Sequence, residues 1–422
     1  MTAADDPRAI ADPAEILRAI LDPERRGALY PWLHRLREVA PVYRTEGLLV
    51  PRGFVLSRYD DIRAVLRHPR AFSDERNADI FDVGEAGASF TAMMRKQILY
   101  LSPRDHDRIR ALVARHFTPR SVERWRAAAE GEVERLLDAA VARGKLDLVQ
   151  DLAYPLPIAV ICEMLGIPRS DVPLFFQWAH DFARRGDVAA LTPDVIRRGE
   201  EATLGFRDYF LGLARERRRQ PKDDLLTLLA QARDARGPLS DDELAATCVI
   251  LLQAGHETTA DLISLGLRGL LLAPPTLARL RAEPDRIPNA VEELLRWDTS
   301  VQISQRRSHA EIELGGVRVP AGETFVLLNG AANRDPAQYP DPDTIDLARA
   351  PKDHLAFGLG RHRCLGAALA RVEIQTALAA ILRRFPRLDF DGDPVFRGSF
   401  FLRGLASLPL RFETGAHRGT LA

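Results

Sequence analysis

The segment from Leu239 to Leu272 carries Leu, Ala, Ile and Val at three- and four-residue spacing, with no proline inside it. Ser240 and Glu243 read as a capping box at its start, and Pro274-Pro275 stop it. At about 1.5 Å per residue, one helix there spans roughly 48 Å. Helical spacing recurs over 105–142, 195–219, 289–297 and 365–385. Short β signals lie at Val42–Thr45, at Gly53–Ser57 and from Ile312 to Leu328, where Gly315-Gly316 reads as a two-residue hairpin loop. Strands alternating with helices at βαβ spacing are absent, which excludes a doubly wound nucleotide fold. Residues 333–352, rich in Pro, Asp and Arg, read as a long ordered meander. The expected fold class is mainly α with a small β portion.

The 422 residues are 46% hydrophobic, enough for a large core and too much for general disorder. Lys and Arg number 59 and Asp and Glu also 59, so no basic field points to a nucleic acid. Lysine occurs only at Lys96, Lys145, Lys222 and Lys352, a skew read here as codon usage. Cys162, Cys248 and Cys364 are too few for a disulfide framework and fit a reducing cytoplasm. The opening MTAADDPRAIADPAEILRAI has acids where a signal peptide needs basic residues. No run of about 18 apolar residues supplies a membrane span. The expectation is a cytoplasmic protein with no membrane and no nucleic-acid partner.

Chemistry concentrates in His354-Leu-Ala-Phe357-Gly358-Leu-Gly360-Arg361-His362-Arg363-Cys364-Leu-Gly366, directly before a strongly helical segment. A thiol at a helix start faces free N–H groups, which lower its pKa, and glycines let a flat ligand approach the backbone. Zinc is excluded because no second cysteine stands at CxxC spacing, and a phosphate loop because GK[ST] is missing. A second polar interruption, Ala254-Gly255-His256-Glu257-Thr258-Thr259-Ala260, falls in the middle of the long helix. Gly255 there costs about 1 kcal/mol relative to Ala, and a local widening of the helix around a small ligand would account for it. His256-Glu257 begins like a zinc-protease helix, but Ala260 stands where the second histidine belongs.

The pattern Phe357-Gly358-x-Gly360-x-His362-x-Cys364-x-Gly366 resembles the haem-binding loop of the cytochrome P450 family. Ala254-Gly255-x-Glu257-Thr258-Thr259 is similar to that family's oxygen-activating helix, and Glu293-Leu-Leu-Arg296 to its ExxR pair. The likeness runs from about Pro41 to Leu410. It implies an N-terminal segment (1–40), a single haem domain (41–410) with the long helix over haem, and a C-terminal tail (411–422). It also implies haem b, held without the CxxCH of covalent attachment, with Cys364 as axial iron ligand. Ala254, Phe357, Gly358 and Gly366 would line the cofactor. His106, Arg110, Arg306 and His362 would meet its propionates. Arg306 is preferred to Arg307 by its distance from the hairpin. Glu257 and Thr258 would be the catalytic acid–alcohol pair, and Glu293, Arg296, Asn333 and Arg349 a structural brace. Arg296-Trp-Asp-Thr-Ser departs from the Pro-containing turn common in bacterial members.

The implied activity is monooxygenation: one atom of O2 goes into a small apolar organic substrate, a secondary metabolite, by hydroxylation or epoxidation. The length leaves no room for a flavin or nicotinamide domain. Electrons would therefore come from a ferredoxin and ferredoxin reductase, to a monomer. A peroxide-using or isomerising haem-thiolate enzyme and a non-catalytic haem-binding sensor are the alternatives. The apolar pocket is expected from Phe90, Met93, Met94, Val301, Phe400 and Phe401. Arg104, Arg108, Arg115, Arg361, Arg363 and Arg371 are expected to form a basic patch for an acidic ferredoxin.

Overall fold

A computed structural model describes residues 6–188, 191–234, 237–349 and 353–414. Residues 1–5 of the expected N-terminal segment and 415–422 of the expected tail lie outside the described residues. The long helix runs unbroken from Asp241 to Leu271, with the Ser240–Glu243 capping box in place. It passes straight through Gly255, so the expected widening does not occur. Instead, the Thr258 hydroxyl donates to the Ala254 carbonyl (2.7 Å), absorbing the polar side chain within the helix. Around this central helix pack Pro155–Met164, Pro193–Arg219, Ile287–Trp297 and Ala367–Arg384. The helix expected over 105–142 is instead Pro103–Ala114 and Arg126–Arg143. The break falls at Thr118-Pro119, where Thr118 caps a new short turn.

The β portion is mainly one five-stranded sheet, ordered Val42–Glu46, Arg52–Leu56, Thr324–Leu328, Ile303–Ser308, Ala71–Phe72. Thr324–Leu328 runs parallel to Arg52–Leu56, and the other pairings are antiparallel. Side chains alternate across it as period two requires. Val55, Val326 and Ile303 face one core, shared with Ile16, Leu17, Trp32 and Leu36 of the first helices. Phe54, Leu56, Phe325 and Leu327 face another, shared with Ile62, Val65 and Leu66. The hairpin Ile312–Leu314 to Val317–Val319 turns at Gly315 and Gly316, both at positive φ (54° and 81°). The expected boundaries at 40 and 410 do not divide the fold. Pro13–Leu21 and Leu29–Val39 bury their apolar faces against the sheet, and the strand Pro409–Glu413 crosses residue 410.

One buried ion pair fastens the irregular region to the helices. Glu293 and Arg296 have no exposed side-chain surface and meet through two 2.8 Å hydrogen bonds. The remaining Arg296 donors reach the carbonyls of Asn333 (2.9 Å), Pro342 (2.8 Å) and Thr344 (3.2 Å). Arg349 Nε joins Glu293 at 3.1 Å, and the Asn333 side chain accepts from Leu355 N (2.6 Å). The meander is thereby stitched to the helix Ile287–Trp297 just before the cysteine loop. Removing one partner of a buried pair strands the other charge. Arg296→Met is therefore expected to cost about 3–5 kcal/mol, read as a lowered midpoint in urea unfolding.

Candidate active site: a cysteine loop among arginines and histidines

The cysteine loop folds back on itself, with Gly358 N donating to Leu355 O (2.9 Å) and Cys364 N to Phe357 O (2.8 Å). Gly360 sits at φ +71°, and a Cβ there would lie 2.4 Å from the Leu66 carbonyl oxygen. Only glycine lets the loop rest on the helix Tyr59–Arg67. Cys364 comes just before the helix Ala367–Arg384, as expected. Its thiol, however, is pushed up by burial, against the lowering effects of the Gly366 N–H, Arg110, Arg371 and Arg363. The expected net lowering fails because the loop's depth outweighs the helix start. Metal ligation requires the thiolate and supplies the energy to keep it.

Cys364 is nevertheless accessible, as is Ala254 in the middle of an otherwise buried helix. A side chain both deep and accessible borders an internal hollow. Four expected propionate partners gather near Cys364. The His106 and His362 rings lie 4.2 Å apart. Burial, with the charges of Arg306, His106, Arg110 and Arg361, drives His362 down to about 2, and its Nε2 is buried without a partner. Burial alone lowers Arg306 to about 10. Its one protein acceptor among the described residues is the Gln305 carbonyl (2.6 Å). Arg110, lowered by burial and held up by Cys364, has no carboxylate within ion-pair distance among the described residues. Arg307 is instead turned to Gly322 O (3.1 Å) and Asp74 (3.9 Å). Buried cations lacking an anion suit a dianionic ligand, and a thiol beside them suits its metal. The residues present fit haem.

On the central helix, Glu257 Oε1 lies 3.3 Å from the Tyr154 hydroxyl and 3.5 Å from Arg397. Thr258 and Glu257 remain partly accessible, while His256 is buried and donates from Nε2 to Tyr154 O (3.1 Å). Arg397 also grips both oxygens of Asp261 at 2.6 Å. Of the expected pocket residues, Phe90 is fully buried between Phe81, Phe182 and Arg185, and Phe400 packs in the N-terminal core under Arg26. Both rings are taken up by core contacts. Met93 and Met94 are buried, Val301 bridges to Leu402, and Phe401 is 52% exposed.

Several supports were invisible in the sequence. Glu292 binds Arg371 (2.6 and 2.8 Å) and His354 (3.1 Å), and Arg371 lies over the Phe357 ring. The expected basic patch is thinned by such pairs. Arg371 is held by Glu292, Arg361 by Asp107, and Arg108 by Asp234 and Glu243. Arg104, Arg115 and Arg363 remain exposed.

The family model for Cytochrome P450 matches residues 175–397. The chain is 38% identical over 400 residues to the cytochrome P450 monooxygenase PikC of Streptomyces venezuelae, covering 92% of each. It is 36% identical to the 6-deoxyerythronolide B hydroxylase of Saccharopolyspora erythraea, over 90% of this chain and 94% of that one. The structure of P450BioI with an acyl carrier protein bearing hexadec-9Z-enoic acid superposes with a TM-score of 0.86 at 33% identity, covering 92% of this chain and 99% of that one.

Glu292 makes the loop sensitive to acid. Burial would raise its carboxyl, but Arg371 and His354 prevail and hold it at about 2 instead of 4.5. A depressed folded value contributes stability above about pH 4.5 that is lost as pH falls toward 2. The loss is on the order of 3 kcal/mol. Thermal midpoints of wild type should fall across that window, and Glu292→Gln should start lower and fall less.

Proposed function

The chain belongs to the cytochrome P450 family, and from that premise we propose that it inserts one oxygen atom into a small apolar secondary metabolite, by hydroxylation or epoxidation, with electrons from a separate ferredoxin and its reductase. It is a haem-dependent monooxygenase that uses O2 and a redox partner. The 6-deoxyerythronolide B hydroxylase among its relatives supports hydroxylation of such a substrate.

The observation that carries this reading is the cluster of Arg110, Arg306, His106 and His362 beside Cys364, in which neither arginine meets a carboxylate among the described residues and His362 Nε2 has no partner. Bound haem supplies the activation of oxygen. In this reading Cys364 Sγ ligates its iron, and Arg110, Arg306, His106 and His362 take its carboxylates. Ala254, Phe357, Gly358 and Gly366 leave room for its plane. Gly366 fits that role, since a Cβ there would meet nothing within 4 Å. The Thr258 hydroxyl and Glu257 carboxylate hold protons for the reaction, beside the hollow that Ala254 borders. Met93 and Met94, on the helix Ala88–Lys96 that packs on the central helix, supply apolar walls, and Val301 and Phe401 supply another from the segment where Val301 bridges to Leu402. Phe90 and Phe400 stand behind them. Glu293, Arg296, Asn333 and Arg349 keep the loop in place.

Replacing the thiol tests the core of this reading. Cys364→Ala should abolish the red-shifted Soret band of the reduced carbon monoxide complex, while Cys162→Ala and Cys248→Ala retain it. A Cys364→Ala protein with that band would overturn the assignment.

The donor surface follows the arginines left exposed, namely Arg104, Arg115 and Arg363. Their attraction for an acidic ferredoxin extends over a Debye length of about 8 Å at physiological salt. Arg104→Glu and Arg363→Glu should slow ferredoxin-driven reduction severalfold at low salt, with the difference shrinking as salt rises. Haem content should not change.

A further inference from the structure

Glu257 has to be resupplied with protons after each delivery, and one of its neighbours borders the outside of the molecule. Tyr154 lines a cleft of about 400 Å³ together with Gln150, Pro155, Phe176, Gln177 and His180. Its hydroxyl lies 3.3 Å from Glu257 Oε1. Among the described residues, the other polar partner of Glu257 is Arg397, which is committed to Asp261 and remains a cation. Asp261 is closed off in turn by the Ser300 hydroxyl (2.7 Å) and is buried.

The placement of Tyr154 is heavily specified for a residue at a cleft wall. A π-helical turn, Val149–Ala153, delivers it, with Tyr154 N donating to Val149 O (2.9 Å). Pro155 and Pro157 lack N–H groups and so cannot donate to the carbonyls one turn earlier, within the π-helical segment. Consecutive residues of the central helix then hold Tyr154 at both ends. His256 engages its carbonyl oxygen and Glu257 its hydroxyl. Its ring sits between Phe176 and the edge of His256. Single-turn π segments recur at functional sites.

We propose that Tyr154 is a proton relay connecting water in this cleft to Glu257, a positioning residue that acts on the reaction through that carboxylate. The inference rests on the reading of Glu257 as the proton carrier beside Thr258. A hydronium ion in the cleft gives its proton to Tyr154 Oη while the Oη–H proton passes to Glu257 Oε1. One O–H bond is made and one broken at the phenol, which stays neutral. Glu257 becomes the carboxylic acid, the cleft is left with neutral water, and no electrons move. Burial, with the charge of Glu257 adding to it, keeps the phenol far above its ordinary value, so it passes protons without resting as phenolate. Arg397 supplies the fixed charge that draws the carboxylate back to its starting position.

Tyr154→Phe retains the ring between Phe176 and His256 and removes only the hydroxyl. The test uses the haem-loaded enzyme with a plant-type ferredoxin and its reductase. In the variant, hydrogen peroxide released per O2 consumed should rise severalfold, and the solvent deuterium isotope effect on O2 consumption should increase. Haem content and thermal midpoint should stay at wild-type values. Infrared spectra provide a readout independent of turnover: the carboxyl band lost in Glu257→Gln should shift in Tyr154→Phe. An unshifted band, or peroxide release and isotope effect equal to wild type, overturns the relay. If Glu257→Gln itself leaves peroxide release unchanged, the reading of Glu257 fails, and the relay with it. A Glu257→Gln effect without a Tyr154→Phe effect removes the relay alone.

Discussion

Every N–H of the Arg296 guanidinium has an acceptor: both oxygens of Glu293 and the carbonyls of Asn333, Pro342 and Thr344. A fork of five donors on a rigid plane can hold a carboxylate and three backbone carbonyls at once. The meander after Asn333 has no ladder of its own, so its carbonyls would otherwise need water. With Arg296 in place, Asn333 is fixed, and its side chain in turn receives Leu355 N at the threshold of the cysteine loop. The position of the thiol is therefore set by an ion pair that touches no ligand.

The arginines near Cys364 fall short of that standard. Arg403 is matched by Asp298 and lies over Tyr30 and Phe396, and Arg217 is matched by Asp224 and Gly166 O. Arg403 and Arg217 are thus buried guanidinium groups each met by an acid, whereas Arg185, with Nε and Nη1 unpartnered, rests on the Phe81 carbonyl and the Phe90 ring. Arg306 and Arg110 lack a carboxylate among the described residues, and His362 Nε2 lacks any partner. Positive charge set into the fold without an acid carries a cost that an anionic ligand would offset. That shortfall suits haem, whose carboxylates would answer the arginines and whose iron would answer the thiol.

How far the sequence discloses this depends on how local each feature is. The capping box, the glycine hairpin, the cysteine loop and the ExxR pair are each written within a few residues, and each is recognisable there. What is not recognisable is the partner at long range. Tyr154 meets Glu257 across 103 positions, Arg397 meets Asp261 across 136, and Arg371 meets Glu292 across 79. Nothing in the local spacing selects those pairs from the many Arg and Glu residues of such a chain. The thiol shows the same division. Its helix-start environment is a local property, whereas the burial that raises it belongs to the whole fold. The expected basic patch fails for the same reason, because Arg108, Arg361 and Arg371 have already found acids in distant elements. Phe90 and Phe400 read as pocket walls because hydrophobicity alone cannot separate a cavity lining from a core.

A helix buried nearly all round has to account for each polar side chain in its middle, and the account here separates structure from chemistry. His256 Nε2 is taken by the Tyr154 carbonyl, and Asp261 by Arg397 and Ser300. Even position 404 is reserved for this: a Cβ on Gly404 would lie 1.9 Å from Asp261 Oδ1, so a glycine must stand there for the carboxylate to fit. Thr258 satisfies its own donor on Ala254 O yet keeps an accessible oxygen, and Glu257 is held only at 3.3 and 3.5 Å. Long contacts to a partly accessible carboxylate leave it free to turn, whereas the 2.6 Å grip on Asp261 does not. The two carboxylates on adjacent turns thus share one arginine unequally: Asp261 anchors it, and Glu257 is the one that can move.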